Sequence, residues 1–125
     1  MNKGQRLYKF ILGLLMPFLF LACSSKERIK IDGGTFNVDG KDVQLICGEM
    51  HYARIPHEYW RDRLKRARAM GLNTISVYVF WNFHERQPGE FDFSGQADVA
   101  EFVRLAQEEG LYVILRPGPY ACAEW

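Results

Sequence analysis

Residues 111–125, LYVILRPGPYACAEW, decide which fold this sequence predicts. The short apolar run at 111–115 is typical of a buried strand. The prolines and glycine of residues 116–119 predict the end of that strand. An aromatic residue, a thiol and a carboxylate follow at once, and in parallel α/β folds ligands bind just beyond the carboxyl ends of the strands. We therefore expect residues 120–125 to contact a ligand.

The chain before that stretch alternates strand and helix patterns. Residues 44–52 are predicted as the first buried strand and residues 73–81 as the second. Two amphipathic helices lie between the three strands, the first from Pro56 to Gly71 and the second ending at Gly110. Their apolar positions are Trp60, Leu64, Ala67 and Met70 in the first, and Val99, Phe102, Val103 and Ala106 in the second. The order β-α-β-α-β predicts a parallel α/β sheet with right-handed crossovers.

The alternation in the second strand favours a barrel over an open sheet. Ile75, Val77 and Val79 share one face, which suits packing beneath a helix. Tyr78 lies on the opposite, mixed face, which suits a barrel interior. No Gly-x-Gly-x-x-Gly motif follows a strand, which disfavours a nucleotide-binding sheet. Because a complete (β/α)8 barrel takes about 250 residues, we expect an α/β fold that is the N-terminal β-α-β-α-β portion of an incomplete (β/α)8 TIM barrel.

The amino terminus predicts export. Positive residues precede an apolar run of about a dozen residues, which is too short to span a bilayer and is typical of a signal peptide over residues 1–22. Small residues before Cys23 resemble a bacterial lipoprotein signal, which implies acylation of Cys23 and a lipid anchor in the cell envelope membrane. Ser24, which is not Asp, points by the same resemblance to the outer membrane. An ordinary secretory signal and an uncleaved anchor are the alternatives.

The remaining chain divides into a tether and a domain. Residues 23–30 are predicted as a polar tether, and residues 31–125 as the N-terminal part of the barrel domain. Within 29–44, Asp39-Gly40 between two β-prone runs predicts a hairpin that leads into the domain.

Two thiols remain after Cys23, and we expect no disulfide between them. Cys47 falls on the first strand and Cys122 just after the third. Strands one and three of a sheet lie about 9–10 Å apart, which exceeds the roughly 7 Å that a disulfide allows between Cα atoms.

Composition and residue spacing limit the classes of ligand that the sequence predicts. The net charge of +1 over 125 residues gives no basis for a nucleic-acid partner. The three histidines and the scattered cysteines show no metal-ligand spacing, and no motif for a cofactor is present. Aromatic faces stack on sugar rings and carboxylates hold neighbouring hydroxyls, so the residues expected at strand ends suit carbohydrate. These residues are Tyr78, Trp81, Asn82, Glu85, Tyr120, Glu124 and Trp125.

Six motifs within residues 31–125 resemble the start of glycoside hydrolase family 35, the β-galactosidases. They are GEMHYARIP at 48–56, WRDRL at 60–64, Gly-Leu-Asn at 71–73, YVFWNFHE at 78–85, PGEFDF at 88–93 and RPGPYACAEW at 116–125. The resemblance implies a retaining exo-glycosidase with an acid/base and a nucleophile carboxylate about 5–5.5 Å apart. It places both beyond this sequence, so none of these residues is expected to be catalytic and the 125-residue chain alone is expected to be inactive.

The same resemblance implies a galactose-containing oligosaccharide or polysaccharide as the partner. Tyr78, Cys122, Ala123 and Glu124 are then expected to contact the terminal galactose. The alternatives at the level of function are a related TIM-barrel glycosidase with another sugar preference, and a non-catalytic sugar-binding or degenerate protein.

Several site residues also have a purely structural interpretation. Tyr78 could be a core tyrosine, Glu124 could pair with Arg116, and Cys122 is expected to be a small packed residue. We expect four others to act in the structure rather than on sugar: His84 and Glu85 as braces of the long loop at 82–95, Arg54 in a buried ion pair, and Trp81 in packing on the aliphatic face.

Overall fold

The computed structural model describes residues 28–118 of the chain. The predicted signal peptide and the residues from 119 onwards lie outside the described residues. The predictions for Cys23, Tyr120, Cys122, Ala123, Glu124 and Trp125 therefore stay predictions. The described residues divide into two compact units, with the boundary between Val43 and Gln44.

The described part of the first unit is a three-stranded antiparallel meander. Its strands are β1 Ile29–Asp32, β2 Thr35–Val38 and β3 Lys41–Val43. Tight turns join them, Gly33-Gly34 with φ of 55° and 84° and Asp39-Gly40 with φ of 51° and 84°. Positive φ at both central residues matches the twist of a two-residue hairpin, and glycine adopts it without steric cost. The segment thus holds one strand more than the predicted hairpin, because Gly33-Gly34 makes a second turn.

The second unit has the predicted β-α-β-α-β order. Its strands and helices are β4 Cys47–Glu49, α1 Trp60–Ala69, β5 Thr74–Phe80, the short α2 Trp81–His84, β6 Glu85–Gln87, β7 Glu90–Phe91, α3 Val99–Glu108 and β8 Tyr112–Gly118. The strands β4, β5 and β8 form one parallel sheet in the order β4-β5-β8. The predicted parallel sheet is therefore confirmed. None of the helices between residues 28 and 118 combines the length and the apolar character needed to cross a bilayer.

A single hydrophobic core joins this sheet to the helices α1 and α3. Ile75 and Val77 of β5 are buried in it, so the predicted aliphatic face of this strand is the face that meets the helices. Trp60 is fully buried between the rings of Tyr52 and Phe102, both of which it meets edge to face. The core consists of Tyr52, Trp60, Leu64, Ala67, Ile75, Val77, Phe102, Leu105, Ala106 and Leu111.

The first helix begins later than predicted, and the last residue of its predicted apolar stripe lies outside it. Pro56 precedes a 3-10 turn, His57–Tyr59, and α1 begins only at Trp60. Met70 is predicted in the buried stripe, but its side chain is 79% exposed because it follows the last helical residue. Gly71 has a φ of 94° and ends the helix as predicted.

The first strand of the sheet is shorter and more exposed than the prediction over residues 44–52. β4 contains three residues, and both Cys47 and Glu49 are exposed. Among the described strands β4 has β5 as its one neighbour, so it is an edge strand there. A Cβ on Gly48 would lie 2.6 Å from the Leu72 side chain, so the glycine lets that leucine pack directly on β4.

The last strand extends further than the sequence predicts. The prediction ends it at Arg116, whereas β8 continues through Pro117 and Gly118, which pair with Val79 and Phe80 of β5. Proline has no N–H to donate, but an edge strand tolerates it where that position points away from its neighbour. Among residues 28–118, β8 pairs with β5 alone, which explains the extension.

Residues 82–95 are more regular than the long loop that the sequence predicts. Most of α2 lies in this range, and β6 pairs with β7 as a small antiparallel hairpin. Pro88-Gly89 makes its turn as predicted, with Gly89 at a φ of 82°. The segment after β5 is therefore an ordered platform and not an irregular connection.

Candidate functional site

Polar and aromatic side chains gather where the three parallel strands end. Glu49 is the last residue of β4, and Tyr78 and Arg116 face each other directly in the register of β5 and β8. Side chains alternate along a strand, so these residues share the sheet face opposite to the helices. His51 follows β4 by two residues and lies against Tyr78. We refer to Glu49, His51, Tyr78 and Arg116 as the strand-end cluster.

Tyr78 is the centre of this cluster. The guanidinium carbon of Arg116 lies 4.0 Å from the centroid of its ring, a close cation–π contact. The ring of Phe80 stacks on it at 5.7 Å and 14°. Tyr78 is only partly buried and is not part of the core between sheet and helices, so its interpretation as a core tyrosine is wrong. The predicted orientation away from the helices is confirmed, and the contact with galactose stays a prediction.

A carboxylate balances the charge of the cluster. The Oε1 atom of Glu49 lies 3.7 Å from Nη1 of Arg116 and 3.8 Å from Nε2 of His51. The Glu49 side chain is 46% exposed, so water screens these pairs and they orient side chains more than they stabilise the fold. The predicted pairing of Arg116 with Glu124 falls outside the described residues.

Between residues 28 and 118 no three His, Cys, Asp or Glu side chains gather as a metal site.

His51 packs within the cluster through its ring. Its imidazole meets the rings of Tyr78 and Phe80 edge to face, at centroid distances of 5.6 and 5.3 Å. Its Nδ1 atom is buried and has no hydrogen-bond partner among the described residues. A buried polar nitrogen without a partner costs free energy, and such groups recur at functional sites. His51 thus limits the positions that the Tyr78 ring can take.

The platform after β5 is held by His84 and Glu85, as the sequence predicts. His84 is 3% exposed, and its ring is hydrogen-bonded through Nε2 to the Tyr52 hydroxyl and through Nδ1 to the backbone oxygen of Asp92 at 2.8 Å. The amide of Asp92 donates to the backbone oxygen of His84 at 2.8 Å. Glu85 accepts the amide hydrogen of Gly89 at 2.8 Å and closes the hairpin turn. The bracing contacts of both residues are confirmed, whereas the prediction that they do not contact sugar stays a prediction.

Tyr52 links this brace to the hydrophobic core, and burial raises the pKa of its phenol from 10.0 to about 12. Between these values the unfolded chain has lost the phenol proton and the folded chain keeps it. We therefore expect the free energy of unfolding to fall by about 2 kcal/mol more in the wild type than in Tyr52→Phe as the pH rises from 10 to 12. Denaturant titrations of both proteins at several pH values measure this difference. Parallel losses in the two proteins would contradict it.

Trp81 does not pack on the aliphatic face, contrary to its prediction. It opens the helical turn α2, which interrupts the alternation of β5, and its side chain is 49% exposed. It lines a cleft of about 490 Å³ together with Asn82, Glu85, Arg86 and Pro88. The sequence-predicted group Trp81, Asn82 and Glu85 is thus brought together, but in a cleft of its own and not within the strand-end cluster.

Two further predictions concern Arg54 and Cys47. Arg54 is exposed at the end of a 3-10 turn after β4, so its predicted burial is wrong, whereas the predicted ion pair stays a prediction. Cys47 is an exposed free thiol. β5 separates β4 from β8, as the argument against a disulfide assumed, and Cys122 lies outside the described residues.

Sequence reasoning missed Glu49, His51 and Arg116 as members of one site. Part of the signal was present, because Arg116 is the last residue of the predicted third strand, and ligands of parallel α/β folds bind at that end of the strands. The prediction over residues 116–119 treats Arg116 as part of the end of a strand, and the prediction over residues 44–52 places Glu49 inside one. Knowledge of the register, which pairs Arg116 with Tyr78, is what brings the cluster together.

The family model and the curated relatives both identify one family. The model of the family described as Glycosyl hydrolases family 35 matches residues 35–125. A β-galactosidase of Xanthomonas manihotis is 54% identical over 114 residues, which cover 91% of this chain and 19% of that protein. A β-galactosidase of Felis catus is 53% identical over 114 residues, covering 90% of this chain and 17% of that protein. The chain thus spans about a fifth of the length of these relatives.

The fold has counterparts among solved structures of TIM-barrel glycosidases. The crystal structure of a β-galactosidase from the psychrophilic Marinomonas ef1 superposes with a TM-score of 0.51 and 25% identity, over 58% of this chain and 11% of that one. The described sheet, with its helices on one face, corresponds to part of such a barrel. The barrel prediction is supported to this extent.

Proposed function

This chain belongs to Glycosyl hydrolases family 35, and from that membership we propose that the protein is a retaining exo-β-galactosidase that removes terminal β-linked galactose from glycans. The observation that carries the proposal is the identity of about half of the positions with proteins named β-galactosidase over some nine-tenths of the chain. A tyrosine held at the carboxyl end of the central strand, where barrel enzymes bind their substrates, supports it.

In the proposed mechanism, residues of the given chain bind the substrate and residues beyond Trp125 carry out the reaction. Two carboxylates, both expected outside this sequence, act as acid/base and nucleophile and form a covalent galactosyl intermediate that water hydrolyses. Tyr78, with Cys122, Ala123 and Glu124, holds the terminal galactose by its hydroxyl groups. Arg116 and Glu49 act as positioning residues, because the guanidinium over the Tyr78 ring limits where its hydroxyl can point.

The coding DNA and a substrate panel test this proposal together. We expect the reading frame to continue past the codon for Trp125 to an Asn-Glu-Tyr-Gly motif and a later nucleophile glutamate. The complete gene product should hydrolyse an aryl β-galactoside at least about a hundredfold faster than the α-galactoside or the β-glucoside. A faster β-glucoside would favour a glycosidase with another sugar preference, and galactose binding without hydrolysis would favour the non-catalytic alternative.

We also propose that Cys23 carries a lipid that holds the protein in the cell envelope, at the outer membrane. The support is the sequence pattern, a positive segment and an apolar run followed by small residues and a cysteine. Radiolabelled palmitate should enter the wild-type protein but not Cys23→Ser. A soluble product cleaved near residue 22 would instead favour an ordinary secretory signal, and an uncleaved membrane-bound product would favour an anchor.

A further inference from the structure

The cleft at Trp81 is a concave aromatic site in the described chain that the proposed galactose contacts leave unexplained. Trp81 is 49% exposed, although the sequence pattern predicts that it packs in the interior. Large aromatic side chains bury apolar area readily, and an exposed one within a concavity is typical of a binding site. The volume of about 490 Å³ falls in the range of about 300–1,000 Å³ that ligand pockets occupy.

The side chains around this indole suit a sugar. Asn82 offers an amide and Glu85 a carboxylate, and Arg86 adds a guanidinium group, so hydrogen-bond donors and acceptors both line the cleft. The C–H groups on one face of a pyranose carry partial positive charge, which the negative face of an indole attracts. One aromatic plane edged by amide, carboxylate and guanidinium groups can therefore hold a sugar ring by its face and its hydroxyls.

The cleft is built on a braced platform. His84, one residue before the cleft's Glu85, is fixed by the Tyr52 hydroxyl and by the backbone of Asp92. Glu85 itself closes the turn at Gly89 through a 2.8 Å hydrogen bond. A site whose side chains are held in place before the ligand arrives loses less entropy on binding. The hydrogen bonds that brace this segment therefore stabilise it and also lower the entropic cost of binding a ligand in the cleft.

The position of the cleft relates it to the strand-end cluster. Trp81 follows Tyr78 by three residues and begins the helical turn directly after β5, so both residues lie toward the carboxyl end of that strand, where barrel enzymes bind their substrates. If Tyr78 contacts the terminal galactose, the cleft is placed to receive the sugar to which that galactose is linked.

We propose that Trp81, with Asn82, Glu85 and Arg86, forms a second sugar subsite that binds the leaving-group sugar of a β-galactosyl oligosaccharide. This inference rests on the proposed function. The subsite makes the protein prefer galactose attached to another sugar over galactose attached to a small alcohol. Trp81 is then a specificity-determining residue, and the reacting bond lies between its subsite and Tyr78.

The test compares two substrates in the complete gene product. Lactose carries a leaving-group sugar, and methyl β-galactoside carries only a methyl group. Trp81→Ala should lower kcat/KM for lactose by about tenfold, mainly through KM, and should leave methyl β-galactoside within about twofold of the wild type. Trp81→Phe should restore most of the loss. Phe91→Ala is the matched control, because Phe91 is an exposed aromatic residue of the adjoining hairpin that does not line the cleft.

The outcomes separate this inference from the proposed function. A wild-type protein that cleaves neither substrate overturns the proposed β-galactosidase function. The subsite is then judged by calorimetric titration with lactose, in which Trp81→Ala should bind about tenfold more weakly than Phe91→Ala. Equal losses for lactose and methyl β-galactoside, or no difference between the two variants, would overturn the subsite.

Discussion

Replacing Trp60 by alanine in the complete gene product is expected to lower the free energy of unfolding by about 3–5 kcal/mol, the largest change in stability that we predict. Trp60 is fully buried, and its indole N–H donates to the backbone oxygens of Tyr52 and Ile55, at 3.1 and 2.9 Å. The substitution removes the ring that joins α1 to α3 and leaves both carbonyl groups without that donor. The cost therefore combines a cavity with lost hydrogen bonds.

Denaturant unfolding of the variant and two controls measures this effect. Met70→Ala changes the residue just beyond the same helix, where the side chain is 79% exposed, and should cost less than about 0.5 kcal/mol. Trp60→Phe keeps most of the ring and should cost an intermediate amount, which provides a measurable protein if the alanine variant does not fold. Equal stability of Trp60→Phe and Met70→Ala would contradict the position of Trp60 in the core.

Replacing Tyr78 by alanine should give the largest loss of activity, about a hundredfold in kcat/KM on a β-galactoside. The substitution removes the proposed hydrogen bond to galactose and the ring that Arg116 covers at 4.0 Å. Tyr78→Phe keeps that ring and its stack on Phe80, and loses only the hydroxyl. It should therefore cost about tenfold, which corresponds to the upper part of the range for one net hydrogen bond.

Steady-state kinetics with matched unfolding curves distinguish a site residue from a structural one. Tyr78 is outside the hydrophobic core, so Tyr78→Phe should unfold within about 0.5 kcal/mol of the wild type. Tyr59→Ala removes another exposed aromatic residue, at the start of α1, and should leave kcat/KM unchanged. Full activity of Tyr78→Phe would show that its hydroxyl does not contact the sugar.

The order of strands and helices could be predicted from the sequence because its signals are local. Trp60, Leu64 and Ala67 recur at helical spacing and all three are buried, and Ile75 and Val77 alternate as a half-buried strand requires. The hydrophobic pattern of each segment sets which face is buried, and no knowledge of distant residues is needed. The side of the sheet that faces the helices could therefore be predicted from the sequence alone.

The errors arose where a distant part of the chain determines the local structure. Pro117 continues β8 because that strand is at an edge of the described sheet, which the residues around the proline do not encode. Met70 fits the helical spacing, but the helix ends before it. Trp81 fits the alternation of β5, but a helical turn begins at that residue and carries the indole to the surface.

The candidate site could be predicted only in part, for a related reason. Tyr78 was found because alternation is a property of a single strand. Its partners Arg116 and Glu49 lie on two other strands, and they meet only through the register of the sheet. His51 lies just beyond β4, where no periodic pattern indicates the direction of its ring. A cluster made from three strand ends therefore becomes visible only in three dimensions.

Proton NMR of the first galactose released from a β-galactoside by the complete gene product tests the central claim most directly. A retaining exo-β-galactosidase forms the β-anomer first, and the α-anomer then appears by slow mutarotation. We predict this order, with rates reduced about a hundredfold in Tyr78→Ala. Release of the α-anomer first would contradict the retaining mechanism, and the absence of released galactose would contradict the proposed β-galactosidase function.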